Sequence, residues 1–461
     1  MYDRDMIYEL MQKALVACLK FIKSYKGTPP SYEKYTDIKV DYKNKQWSAY
    51  PAKSVNLYKW PKSGEMLSIP EVAKVVNHFF SLETKDVLDP RDETKTFFHD
   101  IAEGELQRIR TYRVLPFISA YINRCGLSFD TSCFDYIFNA WFSTFQGDGS
   151  KYRVLVLRNF ILEGLESIDL LNCKIRPLKN YEVKSLITFG AYNVNTARYN
   201  SQDMPTDLKG ELNPMYCAEL PPLAYGDDNE ENSTELIKNQ LLGLLLTFKG
   251  GMISAETELD CDAMGEFQIS PGIGAKISWN ELHHYFTSPY VLRQTEYAEL
   301  SNYQRHYSDS NLNNDKALNL AIRRYLRSNW RYEAEDIVID NIIALEALLS
   351  DSEQEIQYRI SIRLAFLIGQ NPEDRPKIFD IMKHFYAIRS NIVHGNAKEV
   401  NDVIKKIGKY FTEQGPTVEE TMREYVRLTI QKYIYQASIN SDGKNKEHFL
   451  KYLDDKVLRL K

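Results

Sequence analysis

The chain has few cysteines, no long apolar segment and no strong net charge. Its six cysteines are scattered without a C-x-x-C pair, which argues against a zinc site or a disulfide framework and favours reduced thiols in a cytoplasmic protein. No apolar run approaches the roughly 18 residues that a membrane-spanning helix needs. The net charge is −5, so a global basic field is excluded and any contact with nucleic acid must be local.

Signals for a cofactor are also weak. Residues 272–276 place two glycines before a lysine, but they lack the spacing and the Lys-Ser/Thr pair of a phosphate-binding loop. His283 and His284 are adjacent, so their side chains point apart, and no third ligand lies nearby in the sequence. We therefore expect no cofactor and no metal.

The apolar periodicity predicts an α+β fold that is mostly α. Residues 1–150 form a mostly helical region, with helices over 3–24 and from a capping box at 68–71 to residue 80, and helical patterns from about 92 to 146. Residues 151–310 form a mixed α+β region, with strands at 152–157 and 168–176 and a helix from 234 to Gly250. Residues 311–461 are predicted to be a helical bundle. We expect the mixed region to have a sensor or regulatory role.

Aromatic side chains alternate with lysines over residues 31–62. Such a pattern can stack bases and hold a nucleic-acid backbone. A packed loop or short hairpin with solvated lysines explains it equally simply, and we favour that interpretation.

The last third of the chain contains helix signals at short intervals. Helices are predicted over 315–330, 334–349, 355–368, 375–393, 399–411, 417–439 and 446–459, with a capping box at 417–420 and glycine stops at 369 and 395. Short connections make successive helices antiparallel, so the pattern indicates an up-and-down bundle.

Arg389 and His394 give this bundle its chemical character. A guanidinium offers paired donors to phosphate oxygens, and an imidazole exchanges a proton near neutral pH. Gly395 marks the end of their helix, where the helix dipole favours an imidazolium and therefore an acid role for His394. Five residues at 100° each place the two side chains about 140° apart, so they would converge more easily on one phosphate across a twofold axis.

Two neighbours have alternative roles. Glu346 follows an apolar run and should be paired; it either orients Arg389 or His394 or forms a structural salt bridge. Tyr386, one turn before Arg389, either bonds a phosphate or packs, and packing is favoured. Arg389 and His394 themselves have a purely structural alternative, in which the arginine pairs with Glu346 and the histidine caps its helix.

The bundle resembles a HEPN domain of the Apea-like branch, found in bacterial defence proteins. The resemblance rests on AIRRY at 321–325, DNIIALEAL at 340–348, RLA at 363–365 and YAIRSNIVHG at 386–395, and it covers roughly residues 310–440. A weaker similarity is IRPL at 175–178, in the β-rich region that often precedes such domains. In this family the arginine is usually followed by Asn, Asp or His. Here Ser390 follows it, and Asn391 would supply that polar group one position later.

The resemblance implies a metal-independent endoribonuclease that acts as a homodimer. Arg389 and His394 would be catalytic, and Ser390, Asn391, Glu346 and Tyr386 would support them. The expected function is cytoplasmic anti-phage defence by cleavage of tRNA or mRNA, with the N-terminal regions responding to a phage-derived trigger. The alternatives are an inactive scaffold that binds RNA or a partner protein, and an RNase toxin held by a separate antitoxin. No membrane partner is expected.

Overall fold

The computed structural model describes most of the chain. The described residues are 3–28, 30, 32–41, 46–55, 57, 60–83, 109, 113–143, 151–188, 209–211, 216–221, 230–262, 274–277, 289–310, 314–331, 333–351, 354–408, 410–411, 415–439 and 444–458. Parts of the predicted helical pattern at 92–146 lie outside them, as do residues 272–273, His283 and His284.

Helices dominate the described residues. They are Arg4–Ser24 (α1), Ser63–Leu67 (α2), Pro70–Glu83 (α3), Leu115–Cys125 (α4), Thr131–Ser143 (α5), Asn180–Thr188 (α6), Glu230–Lys249 (α7), Tyr297–Asp309 (α8), Lys316–Asn329 (α9), Ala334–Leu349 (α10), Ile356–Ile368 (α11), Asp374–Val393 (α12), Ala397–Gly408 (α13), Val418–Ala437 (α14) and Asn445–Leu458 (α15).

Strands are concentrated in the N-terminal half. They are Tyr32–Asp41 (β1), Gln46–Val55 (β2), Lys151–Arg158 (β3), Phe160–Glu163 (β4), Ile168–Leu170 (β5), Cys173–Pro177 (β6), Lys209–Glu211 (β7), Tyr216–Glu219 (β8), Ser254–Asp262 (β9), Gly274–Ile277 (β10) and Tyr290–Arg293 (β11). The predicted fold class is confirmed: the protein is mostly helical, with a mixed α+β region in its N-terminal half and helices in its C-terminal part.

The strands form three sheets among the described residues. One has the order β1-β2-β7, one has the order β10-β9-β3-β8-β6-β5, and β11 pairs with β4 in parallel. Strands β1 and β2 form an antiparallel hairpin in the register Tyr32↔Val55 to Asp41↔Gln46. Of the two forms considered for the lysine-rich and aromatic-rich segment, a packed loop or a short hairpin, the structure has the hairpin; the solvation of its lysines stays a prediction.

The chain divides into two compact units. One contains Met1–Val156, Pro177–Gly226 and Thr257–Ile277, and the other contains Leu157–Arg176, Asp227–Glu256 and Ser278–Lys461. Residues 151–310 are thus distributed between the two units. The predicted three-part division at 150 and 310 differs from this grouping and stays a prediction.

The first unit has an aromatic core built by α1, α3, α4 and α5. Rings of Phe117, Phe134, Phe138 and Trp141 contact one another at centroid distances between 5.2 and 5.8 Å. Cys125 and Cys133 form a disulfide that joins α4 to α5, whereas Cys18, Cys173, Cys217 and Cys261 are free and buried. The expectation of reduced thiols is therefore wrong for this pair in the structure.

The second unit contains the C-terminal bundle together with α7. The leucines in the C-terminal half of α7 are buried, including Leu241, Leu242 and Leu245. Arg427 on α14 donates from Nη1 to the carbonyl oxygens of Thr247 and Phe248, at 3.2 and 2.9 Å. These carbonyls end α7 and lack partners within their own helix, so a buried arginine fixes the end of α7 to α14.

Local signals explain the helix ends of the bundle. Thr417 accepts from the Glu420 backbone N–H at 3.1 Å, and the Glu420 carboxylate accepts from the Thr417 N–H at 2.8 Å, which completes the predicted capping box. Helix α10 spans the predicted 334–349, and α11 ends at Ile368, before Gly369. Within the described residues, no helix combines the length and the apolar character needed to cross a bilayer.

Candidate functional site

The candidate site lies at the C-terminal end of α12. Ile378, Ile381, Met382, Phe385 and Ile388 are the buried residues of this helix. The helix ends at His394, whose N–H donates to the Ser390 carbonyl at 3.1 Å, and Gly395 follows with φ of +73°. A left-handed residue after the last turn is the usual helix stop, and glycine adopts it without a Cβ penalty.

Arg389, Glu346 and Tyr386 form a cluster between α12 and α10. The Arg389 Nη2 lies 4.0 Å from the Glu346 Oε2, and the Arg389 guanidinium carbon lies 5.6 Å from the centre of the Tyr386 ring. Burial raises the pKa of Tyr386, and the negative charge of Glu346 and a hydrogen bond to it raise it further, while Arg389 opposes the shift. The phenol is therefore protonated at neutral pH and can donate to Glu346.

The cluster leaves Arg389 partly accessible. Its side chain keeps 32% of its accessible surface, and that of Glu346 keeps 23%. A contact of 4.0 Å is long for a charge-assisted hydrogen bond. Arg389 is therefore located by Glu346 and the Tyr386 ring, with donors still able to bind an incoming anion.

His394 is separate from this cluster. It occupies the C-cap position of α12 and is exposed, and the adjacent Val393 keeps 59% of its surface. Among the described residues, its imidazole has no hydrogen-bond or ion-pair partner. The ring can therefore meet a ligand or a second copy of the chain directly.

Ser390 and Asn391 bind the turn at the end of α12 through their backbone carbonyls. The Ser390 carbonyl accepts from the His394 N–H, and the Asn391 carbonyl accepts from the Asn396 N–H at 2.8 Å. Both residues are half-buried. These bonds fix the turn that presents His394, while the catalytic support predicted for the two side chains stays a prediction.

The structure brings Arg389, Glu346 and Tyr386 together and leaves His394 apart. Glu346 contacts Arg389. Both roles considered for Glu346, orienting Arg389 and forming a structural salt bridge, require this contact. Tyr386 packs against Arg389 and its hydroxyl bonds Glu346, whereas the alternative role of binding a phosphate stays a prediction.

Sequence reasoning missed a charged network at the C-terminal end of α10. Arg363 is buried and its Nε and Nη2 donate to the two Asp454 oxygens at 2.8 and 2.9 Å, while its Nη1 donates to the Leu349 carbonyl at 2.7 Å. Hydrogen bonds and charge from Arg363 lower the pKa of Asp351 to about 2, although partial burial opposes this shift. No sequence motif indicates this network, because its members lie on α11, on α15 and at the end of α10.

An open groove connects this network with the candidate site. It has a volume of about 450 Å³ and is lined by Leu320, Ile343, Glu346, Ala347, Ser350, Asp351, Ile356 and Lys446. Burial lowers the pKa of Lys446, and the nearby Asp351 and Asp315 oppose that shift. Within the described part of the chain, no cluster of three or more His, Cys, Asp or Glu side chains is placed to hold a metal ion.

Comparisons with known proteins return no relative. No protein-family model, no curated protein and no solved structure matches the chain.

Proposed function

We propose that the chain is a HEPN-type, metal-independent endoribonuclease. The observation that carries the proposal is the arrangement on α12: an arginine located by Glu346 and Tyr386, followed by an exposed imidazole at the helix end. This arrangement supplies an anion-binding group and a proton carrier on one short segment.

RNA contains its own nucleophile. The 2′-oxygen attacks phosphorus, the bond from phosphorus to the 5′-oxygen breaks, and the products are a 2′,3′-cyclic phosphate and a 5′-hydroxyl. One proton leaves the 2′-hydroxyl and one must reach the departing 5′-oxygen. His394 is placed to deliver that second proton, since its imidazole is exposed at the helix C-terminus and free to meet the departing oxygen. Arg389 would bind the phosphate and the charge that develops on it.

A homodimer would complete this site. Because Arg389 faces α10 and His394 faces solvent, a second copy related by a twofold axis would supply the missing partner groups, including a second imidazole to accept the 2′-hydroxyl proton. The exposed Val393 beside His394 offers an apolar contact for that copy.

The cellular role is part of the same proposal. Cleavage of tRNA or mRNA in the bacterial cytoplasm would stop translation and hence phage production, and the N-terminal half would respond to a phage-derived trigger. This assignment follows from the resemblance of residues 310–440 and from the joining of a toxic activity to a large additional region.

A cleavage assay on total cellular RNA in excess EDTA tests the proposal. We expect fragments from the wild-type protein, with or without phage lysate as the trigger, and intact RNA from His394→Ala. An Arg389→Lys variant keeps the charge but loses the planar fork, so it should cleave more slowly. Intact RNA with the wild-type protein under all these conditions would leave a scaffold as the better account.

A further inference from the structure

A second groove lies between α11 and the first half of α12. It has a volume of about 320 Å³ and is lined by Tyr358, Ile362, Ala365, Phe366, Pro372, Arg375, Pro376 and Phe379. Its lining is aromatic and apolar, yet Tyr358 keeps 56% of its surface. A tyrosine this exposed beside two phenylalanines offers a ring face to a flat ligand.

Cations border these rings. The Arg375 guanidinium lies 4.4 Å from the centre of the Phe366 ring, and the Lys383 Nζ lies 5.6 Å from the centre of Phe379. The Arg375 Nε is buried and has no hydrogen-bond partner among the described residues. A buried donor without a partner favours a ligand that carries an acceptor.

Two of the nearby acidic side chains already have donors. Asp374 accepts from the Asn371 N–H at 3.1 Å, and Asp380 accepts from the Tyr410 hydroxyl at 3.1 Å. The cations Arg375 and Lys383 therefore remain the groups best placed to meet a charged ligand, and they favour an anion.

The groove and the candidate site share helix α12. Gln357 donates from Nε2 to the Lys383 carbonyl at 2.9 Å, which holds the start of α11, including Tyr358, against α12. Phe379, Lys383, Tyr386 and Val393 fall on one face of α12, within an arc of about 80°. At 1.5 Å per residue, Phe379 and Val393 are about 21 Å apart along this face.

We propose that this groove is a base-stacking subsite for single-stranded RNA. A base stacks on Tyr358 between the neighbouring rings, and Arg375 and Lys383 bind the adjacent phosphates. The strand then follows α12 towards Arg389 and His394. This inference rests on the proposed function, because it assigns the groove to the substrate of that site.

Binding of fluorescein-labelled oligouridine to the full-length His394→Ala protein tests the subsite without cleavage. Adding Tyr358→Ala should raise the dissociation constant about 5- to 150-fold, the range that stacking of one base covers. Tyr358→Phe keeps the ring and should restore most of the affinity. Tyr136→Ala removes another exposed tyrosine, which keeps 45% of its surface, from the other unit and serves as the control, with no expected change.

The outcomes separate the two proposals. Unchanged affinity in Tyr358→Ala overturns the subsite, even if the wild-type protein cleaves RNA. If the wild-type protein does not cleave RNA, the proposed function is overturned, even if oligouridine binds through Tyr358. If light scattering shows that Tyr358→Ala converts a dimer into a monomer, the groove is an interface between copies and the subsite is rejected.

Discussion

Replacement of Arg427 by methionine should destabilise the C-terminal unit strongly. Arg427 is only 8% exposed, and burial alone would lower its pKa, but hydrogen bonds and charge from Glu424 outweigh that effect and raise it. Its Nε and Nη2 donate to Glu424 at 2.7 and 2.6 Å, and its Nη1 donates to the carbonyls of Thr247 and Phe248. The variant keeps the apolar stem and removes every one of these donors.

The expected loss of stability follows from the groups that lose Arg427 as a hydrogen-bond partner. Glu424 keeps 48% of its side-chain surface, so water can replace its partner at little cost. The Thr247 carbonyl loses a charged donor in a buried position, at about 1–3 kcal/mol. The Phe248 carbonyl retains the Gln431 amide at 3.3 Å and should lose less. We expect a total of about 2–4 kcal/mol, a large part of the 5–15 kcal/mol that typically stabilises a native protein.

Urea unfolding followed by circular dichroism measures this loss. Arg327→Met provides a matched control, because Arg327 is exposed on α9, and it should change stability by less than about 0.5 kcal/mol. Hydrogen exchange at the amides of the last turn of α7 should accelerate in Arg427→Met. A loss below about 1 kcal/mol would refute the claim that this arginine holds α7 in the C-terminal unit.

Three further changes test the bundle and its site. The pKa of Asp351, about 2, lies below its ordinary value of 3.8. The contribution of Asp351 to stability is therefore present above pH 4 and is lost as the pH falls towards 2. In Arg363→Met, the free energy of unfolding should fall less over that pH range than in the wild type. Glu346→Gln should lower kcat for RNA cleavage about 10-fold with a stability change below about 1 kcal/mol, since Arg389 loses its positioning charge; an unchanged kcat would reduce Glu346 to a structural residue. In Gly395→Ala the added Cβ meets no neighbouring atom, but the residue keeps a φ of +73°. Thermal unfolding should therefore show a lower midpoint, corresponding to a loss of stability of about 1–2 kcal/mol. An unchanged midpoint would show that the turn relaxes.

Helix limits in the bundle could be predicted because their signals are local. The capping box at Thr417 and the glycine at 395 act on neighbouring backbone groups, so sequence spacing is sufficient to locate them. The hairpin formed by β1 and β2 is local in the same sense.

Contacts between distant segments could not be predicted. Nothing in the leucine-rich sequence of α7 indicates that Arg427, some 180 residues later, binds its last carbonyls. The parallel pairing of β4 with β11, in the register Tyr290↔Phe160 to Arg293↔Glu163, likewise depends on the tertiary fold. Such contacts assign α7 and β4 to the C-terminal unit.

The candidate site was partly predictable. The apolar context of Glu346 implied a partner, and Arg389 lies beside it. The divergence of Arg389 and His394 that their five-residue spacing implies stays a prediction. The aromatic groove at Tyr358 was not predicted, because its rings come from two helices and their proximity depends on packing rather than on sequence spacing.

The most direct test of the central claim uses one oligonucleotide in two forms, in excess EDTA. The first is an RNA that the protein cleaves, and the second carries a single 2′-deoxyribose at the cleaved position. We expect the wild-type protein to convert the first into a 2′,3′-cyclic phosphate and a 5′-hydroxyl product and to leave the second intact, while His394→Ala cleaves neither. Cleavage of the deoxy-substituted strand, or equal cleavage by His394→Ala, would contradict the mechanism.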